Sequence, residues 1–335
     1  MTMHQKTRVA INGFGRIGRV TFKNLIQRHD VEVVAINDLT DSHTLAHLLK
    51  YDSIHGRFPF EVHAEKDSIT ANGIKVPVFA EKDPAALPWK NLQVDVVLEC
   101  TGRFTDSKSA ALHVQAGARK VILSAPAKDP MKTVVLGVND HLITKDDLIL
   151  SNASCTTNNA APMIKILDEA LGVESAYVTT VHAYTGDQNL HDAPHKDLRR
   201  ARAAAVSIIP TTTGAAKAIT EVFPHLKGKI GGAGIRVPVP DGSLTDITCL
   251  VQKTIDADQL NQLFRSAAQG ALKGILEYTE DPIVSIDIVG NPHSCIFDAG
   301  LTSVLGKMVK VVGWYDNESG YAARLTELTV KVSSL

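Results

Sequence analysis

A two-domain α/β chain is what this sequence predicts. Three observations predict it: a strand-like run that breaks into a glycine-rich turn and a helix-like run near the N-terminus, apolar strands alternating with helical spacing to about residue 150, and a change beyond that point to β-branched strands with longer connections. The length of 335 residues exceeds the usual size of one domain. Lys and Arg number 35 against 36 Asp and Glu, with no acidic or basic tail, so bulk charge favours neither nucleic acid nor a membrane surface as partner. Met1 to Arg8 is polar and basic with no long apolar stretch behind it, and no segment reaches the roughly 18 apolar residues of a membrane span, so a soluble, unexported chain is expected. The four cysteines, Cys100, Cys155, Cys249 and Cys295, are widely spaced, without a Cys-x-x-Cys pair or clustered histidines to complete a zinc site. A reducing cytoplasm and no metal are expected.

Arg8 to Asn12 reads as a buried strand, Gly13-Phe-Gly15-Arg-Ile-Gly18 as a turn entering a helix that ends near Arg28, and Val31 to Asn37 as a second strand. That order is the one a dinucleotide-binding unit requires: Gly13 for the tight turn, Gly15 for close approach of backbone to a pyrophosphate, and Gly18 for helix–strand packing. Asp38, about twenty positions beyond Gly18, closes the fingerprint and can accept from the ribose hydroxyls. A carboxylate there would repel the 2′-phosphate of NADP, which favours NAD. Tyr51 to Trp89, punctuated by Gly56, Pro59, Gly73, Pro77, Pro84 and Pro88, reads as short strands and turns inserted in the unit. Strands at Asp95 to Cys100 and Lys120 to Ser124, with a helix at Ser107 to Ala116, continue a parallel sheet. After residue 150, Ser175 to Val181, Gly234 to Val239, Ser243 to Lys253 and Val309 to Trp314 predict a mixed or antiparallel sheet covered by helices on one face. The fold class is therefore α/β: a Rossmann-type dinucleotide-binding domain over 1–150, rejoined by a helix at about 318–335, and a second, α+β catalytic domain over 151–317 built on that mixed sheet. The polar stretch from Ala183 to about Ala205 has no period, and so long a connection is usually functional.

Ser151-Asn-Ala-Ser-Cys-Thr-Thr-Asn158 holds one thiol between a strand end, Asp147 to Leu150, and a run with helix spacing, Ala160 to Leu171. Cys155 thus sits near a helix N-terminus, where unpaired amides and the dipole favour a thiolate and could hold an oxyanion. The hydroxyl and amide side chains around it count against a dry apolar pocket. His182 follows the apolar run Tyr177 to Val181 and so stands at a strand end, which fits a hydrogen-bonded terminal histidine as readily as a catalytic one.

Over nearly its whole length the chain resembles the phosphorylating glyceraldehyde-3-phosphate dehydrogenase family. The resemblance rests on Ile11 to Gly18, Ser151 to Asn158, Thr180-Val-His-Ala-Tyr-Thr-Gly-Asp-Gln188, His195 to Arg202, Ile209-Pro-Thr-Thr-Thr-Gly214, Arg236-Val-Pro238 and Trp314 to Glu318. It implies that Cys155 attacks the aldehyde, that His182 pairs with the thiol and moves the proton, and that inorganic phosphate releases the resulting thioester. It implies Thr185 and Arg236 at the phosphate of glyceraldehyde 3-phosphate, and Ser154, Thr156, Thr213 and Gly214 at the attacking phosphate. It also implies Arg16 and Ile17 at the pyrophosphate turn, Ser124 beside the nicotinamide and Asn317 on its carboxamide. Pro194 stands where NAD-preferring members carry proline, near a neighbouring subunit's cofactor, so a homotetramer is implied. Asn159 occupies a position where many relatives have a second cysteine, and a local disulfide with Cys155 is not expected. Erythrose-4-phosphate dehydrogenase is the nearest alternative, and a non-catalytic dinucleotide-fold binding protein is the alternative from another class. The hydroxyls kept for an attacking phosphate argue against the first, and the intact thiol, histidine and phosphate set against the second.

Overall fold

The computed structural model describes residues 6–335, which fall into two compact units: residues up to 134 with 141–153 and 322–335, and residues 135–140 with 154–321. Among the described residues no helix is long and apolar enough to cross a membrane.

The first unit contains β1 (Thr7–Asn12), α1 (Arg16–Leu25), β2 (Val31–Asn37), α2 (Ser42–Lys50), β3 (Val62–Glu65), β4 (Ser68–Ala71), β5 (Ile74–Phe79), β6 (Val96–Glu99), α3 (Ser107–Gln115), β7 (Lys120–Leu123), β8 (Lys132–Thr133) and β9 (Ile149–Ser151). The strands lie in the order β3-β4-β5-β2-β1-β6-β7-β9-β8. From β5 to β8 the neighbours are parallel. Every residue of β6 and β7 is buried, because helices and loops cover both faces of a parallel sheet, and this is why these strands read as unbroken apolar runs. The Tyr51 to Trp89 excursion supplies the antiparallel strands β3 and β4. Between β4 and β5 the turn is Asn72-Gly73, both at positive φ, the conformation a two-residue hairpin loop demands. Trp89, Val97, Ala110, Val121 and Leu123 are the heart of one apolar cluster here.

The second unit contains α4 (Cys155–Leu171), β10 (Val173–Ala183), β11 (Ile209–Thr211), α5 (Ala215–Val222), β12 (Ile230–Val237), β13 (Ser243–Val251), α6 (Ala257–Gln269), β14 (Leu276–Thr279), β15 (Cys295–Asp298), β16 (Ser303–Leu305) and β17 (Met308–Tyr315). Its sheet runs β11-β12-β10-β13-β17-β15-β14, with β16 paired to β17. It is mixed: β10 is parallel to β12 and antiparallel to β13, and β13 is antiparallel to β17. Ile164 and Leu167 of α4, Ile219 of α5 and Phe264 of α6 cover one face over Val178, Ile247, Phe297 and Val311. The Phe264 and Phe297 rings stack at 3.9 Å. The final helix, α7 (Ser319–Ser333), carries the chain from the second unit into the first.

Two elements differ from the expected ones for local reasons. Helix α4 begins at Cys155 itself rather than at Ala160, because the Ser154 hydroxyl caps it by accepting from the Thr157 amide. Helix α6, which periodicity did not single out, announces itself by a capping box between Asp256 and Gln259.

The glycine turn is sterically closed at one position and open at another. A Cβ on Gly18 would stand 2.2 Å from the Gly13 carbonyl oxygen, whereas one on Gly15 would meet nothing within 4 Å. Gly18→Ala should therefore cost about 1–3 kcal/mol through overpacking and Gly15→Ala less than about 0.5 kcal/mol. Thermal midpoints of the two variants check this, and equal midpoints would contradict it.

Candidate active site

The first unit forms a cavity of about 620 Å³ at the C-terminal ends of its parallel strands, lined by Asn12, Gly13, Gly15, Asp38, Thr101 and Arg103 among others. Gly13 has φ +92, and a side chain there would meet the backbone of Cys100 and Thr101 at under 3 Å. Its amide donates to the Asn37 carbonyl at 2.8 Å, which joins the turn to the end of β2. The next residue, Asp38, accepts from the amides of Phe14 at 2.7 Å and Thr40 at 2.9 Å, so its carboxylate is fixed beside the glycine turn. Gly15 caps α1, and Arg16 and Ile17 form its first turn. The Arg16 side chain is turned to Asp52, 2.8 Å away, so the main chain is what Arg16 brings to the turn. Ser124 follows β7, its amide donating to the Glu99 carbonyl at 2.9 Å. A helix N-terminus, open space over Gly15 and a carboxylate at the strand end suit a dinucleotide, with the pyrophosphate at the helix and the ribose at Asp38.

Beneath this cavity lies a buried network that sequence patterns did not reveal. Trp89 Nε1 donates to His113 Nδ1 at 3.0 Å, so the other ring nitrogen, Nε2, carries the proton that faces Glu99 Oε2 at 3.1 Å. Glu99 also accepts from Asn12 Nδ2 at 2.5 Å, and Asn12 Oδ1 accepts from Asn37 Nδ2 at 2.7 Å. The residue ahead of Gly13 is thereby held by this carboxylate, and the residue ahead of Asp38 by a bond to Asn12.

In the second unit the side chains expected to carry chemistry converge. Cys155 opens α4, and His182 stands near the end of β10, with its Nε2 3.4 Å from Cys155 Sγ. Parallel pairing of β10 with β12 sets His182 opposite Arg236. One hydrogen bond then orients the imidazole. Its Nδ1 lies 2.7 Å from the Ala183 carbonyl, which can only accept, so Nδ1 bears the proton and Nε2 turns a lone pair to the thiol. Arg236 Nη1 donates to the same carbonyl at 2.9 Å and to Thr185 Oγ1 at 3.2 Å. Its 3.1 Å approach to His182 Nδ1 sets two donors side by side and is a repulsive contact rather than a hydrogen bond. The Tyr315 hydroxyl, within 2.9 Å of both Thr156 Oγ1 and Thr180 Oγ1, ties α4 to β10.

Burial, and then the Arg236 guanidinium, push His182 down to about 3. Burial also raises the Cys155 thiol, against an opposing pull from Arg236 and the Thr156 amide. The pair is neutral at neutral pH, a thiol facing a free lone pair. Burial lifts Cys100 and Cys249 to about 12 and Cys295 higher still, and among the described residues none of these three has an imidazole beside it. Burial lowers the Arg236 pKa, with repulsion from Arg200 adding to it, and among the described residues no carboxylate pairs with Arg236. Arg236, a guanidinium without a carboxylate partner beside the thiol–histidine pair, is a group that can take an anion. Arg200, bound to Thr211 and Asp187, belongs to the field around Arg236 although sequence reasoning gave it no role; its ion pair only forms once the long loop folds back.

The other expected residues are placed as follows. Ser154 is the α4 cap, and its hydroxyl lies 2.7 Å from Thr157 Oγ1. Thr213 accepts from the Ala215 amide at 3.2 Å and Gly214 caps α5, and among the described residues no hydrogen bond links either to Cys155 or Arg236. Asn317 follows β17, its Oδ1 accepting from Ser243 Oγ at 2.7 Å.

A Rossmann-type unit followed by a mixed-sheet unit with a cysteine–histidine pair defines the class of dinucleotide-dependent oxidoreductases that work through a thiol. The family models agree: residues 7–107 match the glyceraldehyde 3-phosphate dehydrogenase NAD binding domain, and residues 154–317 match the C-terminal domain of the same family. Glyceraldehyde-3-phosphate dehydrogenase 1 of Streptomyces avermitilis is 57% identical over 97% of this chain and 98% of its own length. The glyceraldehyde-3-phosphate dehydrogenase of Mycobacterium avium is 55% identical over 97% of this chain and 98% of its own. The chain belongs to the glyceraldehyde 3-phosphate dehydrogenase family.

The neutral state of His182 has a consequence for stability. Between about pH 6.5 and 3 the unfolded chain binds a proton at this residue that the folded chain does not, so stability must fall as pH falls through that window, by at most about 1.4 kcal/mol per pH unit. His182→Gln should flatten this part of the pH–stability curve in denaturant titrations; a wild-type curve with no slope attributable to His182 would be inconsistent with the buried neutral ring.

Proposed function

We propose that the protein oxidises glyceraldehyde 3-phosphate with NAD and phosphorylates the acyl product to 1,3-bisphosphoglycerate. The observation that carries this reading is the Cys155 thiol facing the unprotonated nitrogen of His182 at 3.4 Å, beside a guanidinium without a carboxylate partner. Family membership and the relatives' names support it.

Cys155 sulfur attacks the aldehyde carbon, and its proton passes through His182 Nε2 to the carbonyl oxygen, giving a thiohemiacetal. His182 Nε2 next takes the hydroxyl proton as the carbon gives up its hydride and becomes a thioester. NAD, when bound, supplies the hydride acceptor. Phosphate oxygen then attacks the thioester carbon, the carbon–sulfur bond breaks, and the departing sulfur regains its proton from His182. Amides at the start of α4 face the oxygen that gains charge in each addition. Arg236 and Thr185 hold the substrate phosphate. An anion there offsets the charge that depresses His182, so substrate binding makes the ring a better base. Ser154, Thr156, Thr213 and Gly214 hold the attacking phosphate.

Gly13, Gly15, Arg16, Ile17, Gly18, Asp38 and Ser124 bind the cofactor from an NAD-binding domain over 1–150 and the C-terminal helix; Asn317 binds its carboxamide from a catalytic domain over 151–317. The Asp38 carboxylate supports NAD over NADP. Leu190, Leu198, Val206 and Ile208, each at least 70% exposed in and after the long loop that carries Pro194, support burial between subunits of a homotetramer. The setting is cytoplasmic.

NADH formation from glyceraldehyde 3-phosphate should require phosphate or arsenate for sustained turnover, exceed that from erythrose 4-phosphate, and vanish in Cys155→Ala. Phosphate-independent turnover that prefers the four-carbon sugar would move the chain to the alternative activity. His182→Asn should lower kcat by about 10²–10⁴. Asp38→Ala should narrow the ratio of kcat/KM for NAD over NADP; an unchanged ratio would place the selectivity elsewhere.

A further inference from the structure

One fully buried hydroxyl, that of Ser243 at the start of β13, joins two groups the reaction uses. It accepts from the Ala183 amide at 3.1 Å and lies 2.7 Å from Asn317 Oδ1. A serine hydroxyl has a single proton. Since the Ala183 amide is a donor, that proton must go to Asn317, and the Asn317 atom that faces it must be the oxygen. The flipped amide would leave a buried hydroxyl proton with no acceptor. Asn317 Nδ2, a double donor, is thus turned away from Ser243, and among the described residues no protein acceptor holds it. The Asn317 main chain is held as well, its amide donating to Asp241 Oδ1 at 3.3 Å. On the other side of Ser243, the residue whose amide it holds, Ala183, is the one whose carbonyl, in the next peptide group, accepts from His182 Nδ1 and Arg236 Nη1.

We propose that Ser243 is a positioning residue that sets the Asn317 amide with its NH₂ as the donor to the cofactor's carboxamide oxygen, and that ties this amide to Ala183, the residue whose carbonyl orients His182. The proposal rests on the reading of Asn317 as the carboxamide partner. A hydroxyl that acts through Asn317 touches only the nicotinamide end of the cofactor, and ADP-ribose, which lacks that end, serves as the internal control.

Titration calorimetry of the intact protein with NAD and with ADP-ribose separates the cases. Ser243→Ala should weaken NAD relative to ADP-ribose by about fivefold to tenfold, with ADP-ribose affinity unchanged, which also reports an intact first unit. Ser243→Thr, which keeps the hydroxyl, should retain the wild-type ratio. In an Asn317→Ala background, Ser243→Ala should change the ratio no further, because both substitutions remove one interaction. An unchanged ratio in Ser243→Ala, equal losses for both ligands, or a further loss on top of Asn317→Ala would each overturn the assignment. Wild-type protein that binds neither ligand would overturn the dinucleotide reading and this proposal together, whereas wild-type binding with an unmoved Ser243→Ala ratio overturns the Ser243 assignment alone.

Discussion

The main chain of Ala183 is the point around which the polar contacts of the second unit gather. Its carbonyl accepts from His182 Nδ1 and from Arg236, and its amide is held by Ser243. Because the carbonyl can only accept, it decides which nitrogen of the imidazole carries hydrogen, and therefore that the other one confronts Cys155 with a lone pair. The same atom brings a guanidinium to the ring, and that cation adds to burial in keeping the ring neutral. One backbone carbonyl, at the end of β10, so determines the tautomer and the location of positive charge at once.

The first unit follows a comparable logic with different parts. A buried carboxylate, Glu99, holds Asn12 on one side and His113 on the other, and His113 is in turn braced by Trp89. The glycine turn begins immediately after Asn12, so its starting point is set by a polar network in which each donor meets an acceptor. Such a network is costly when half satisfied and rigid when complete, which suits a turn that must present backbone amides in one geometry.

Much of the structure was legible because it is local. The glycine turn, the strand-helix-strand order around it, Asp38 at the end of β2, and Cys155 at a helix start all depend on residues within a few positions of one another, and turn sterics and helix capping write themselves into such windows. The mixed sheet was legible as a class from its β-branched runs. The short strands β14, β15 and β16 were not, since three or four residues carry too little periodicity; β15 and β16 are placed by pairing with β17, and β14 by pairing with β15. Expected residues fared according to the same division: Arg16 stands in the predicted turn, yet only the fold shows its side chain committed to Asp52.

What the sequence determined by itself, then, is the set of groups available and the local backbone that presents each: a thiol at a capped helix start, glycines where no Cβ fits, and a carboxylate closing the dinucleotide fingerprint. What only the tertiary structure decided is which of these meet. Cys155 and His182 are 27 positions apart, His182 and Arg236 are 54, and Ser243 and Asn317 are 74. Two of these meetings can be traced to strand register. Parallel pairing of β10 with β12 puts His182 beside Arg236, and antiparallel pairing of β13 with β17 brings Ser243 level with Tyr315, two residues ahead of Asn317. Register is settled by which faces are buried across the whole sheet, and a shift of one residue would turn every one of these side chains to the opposite face.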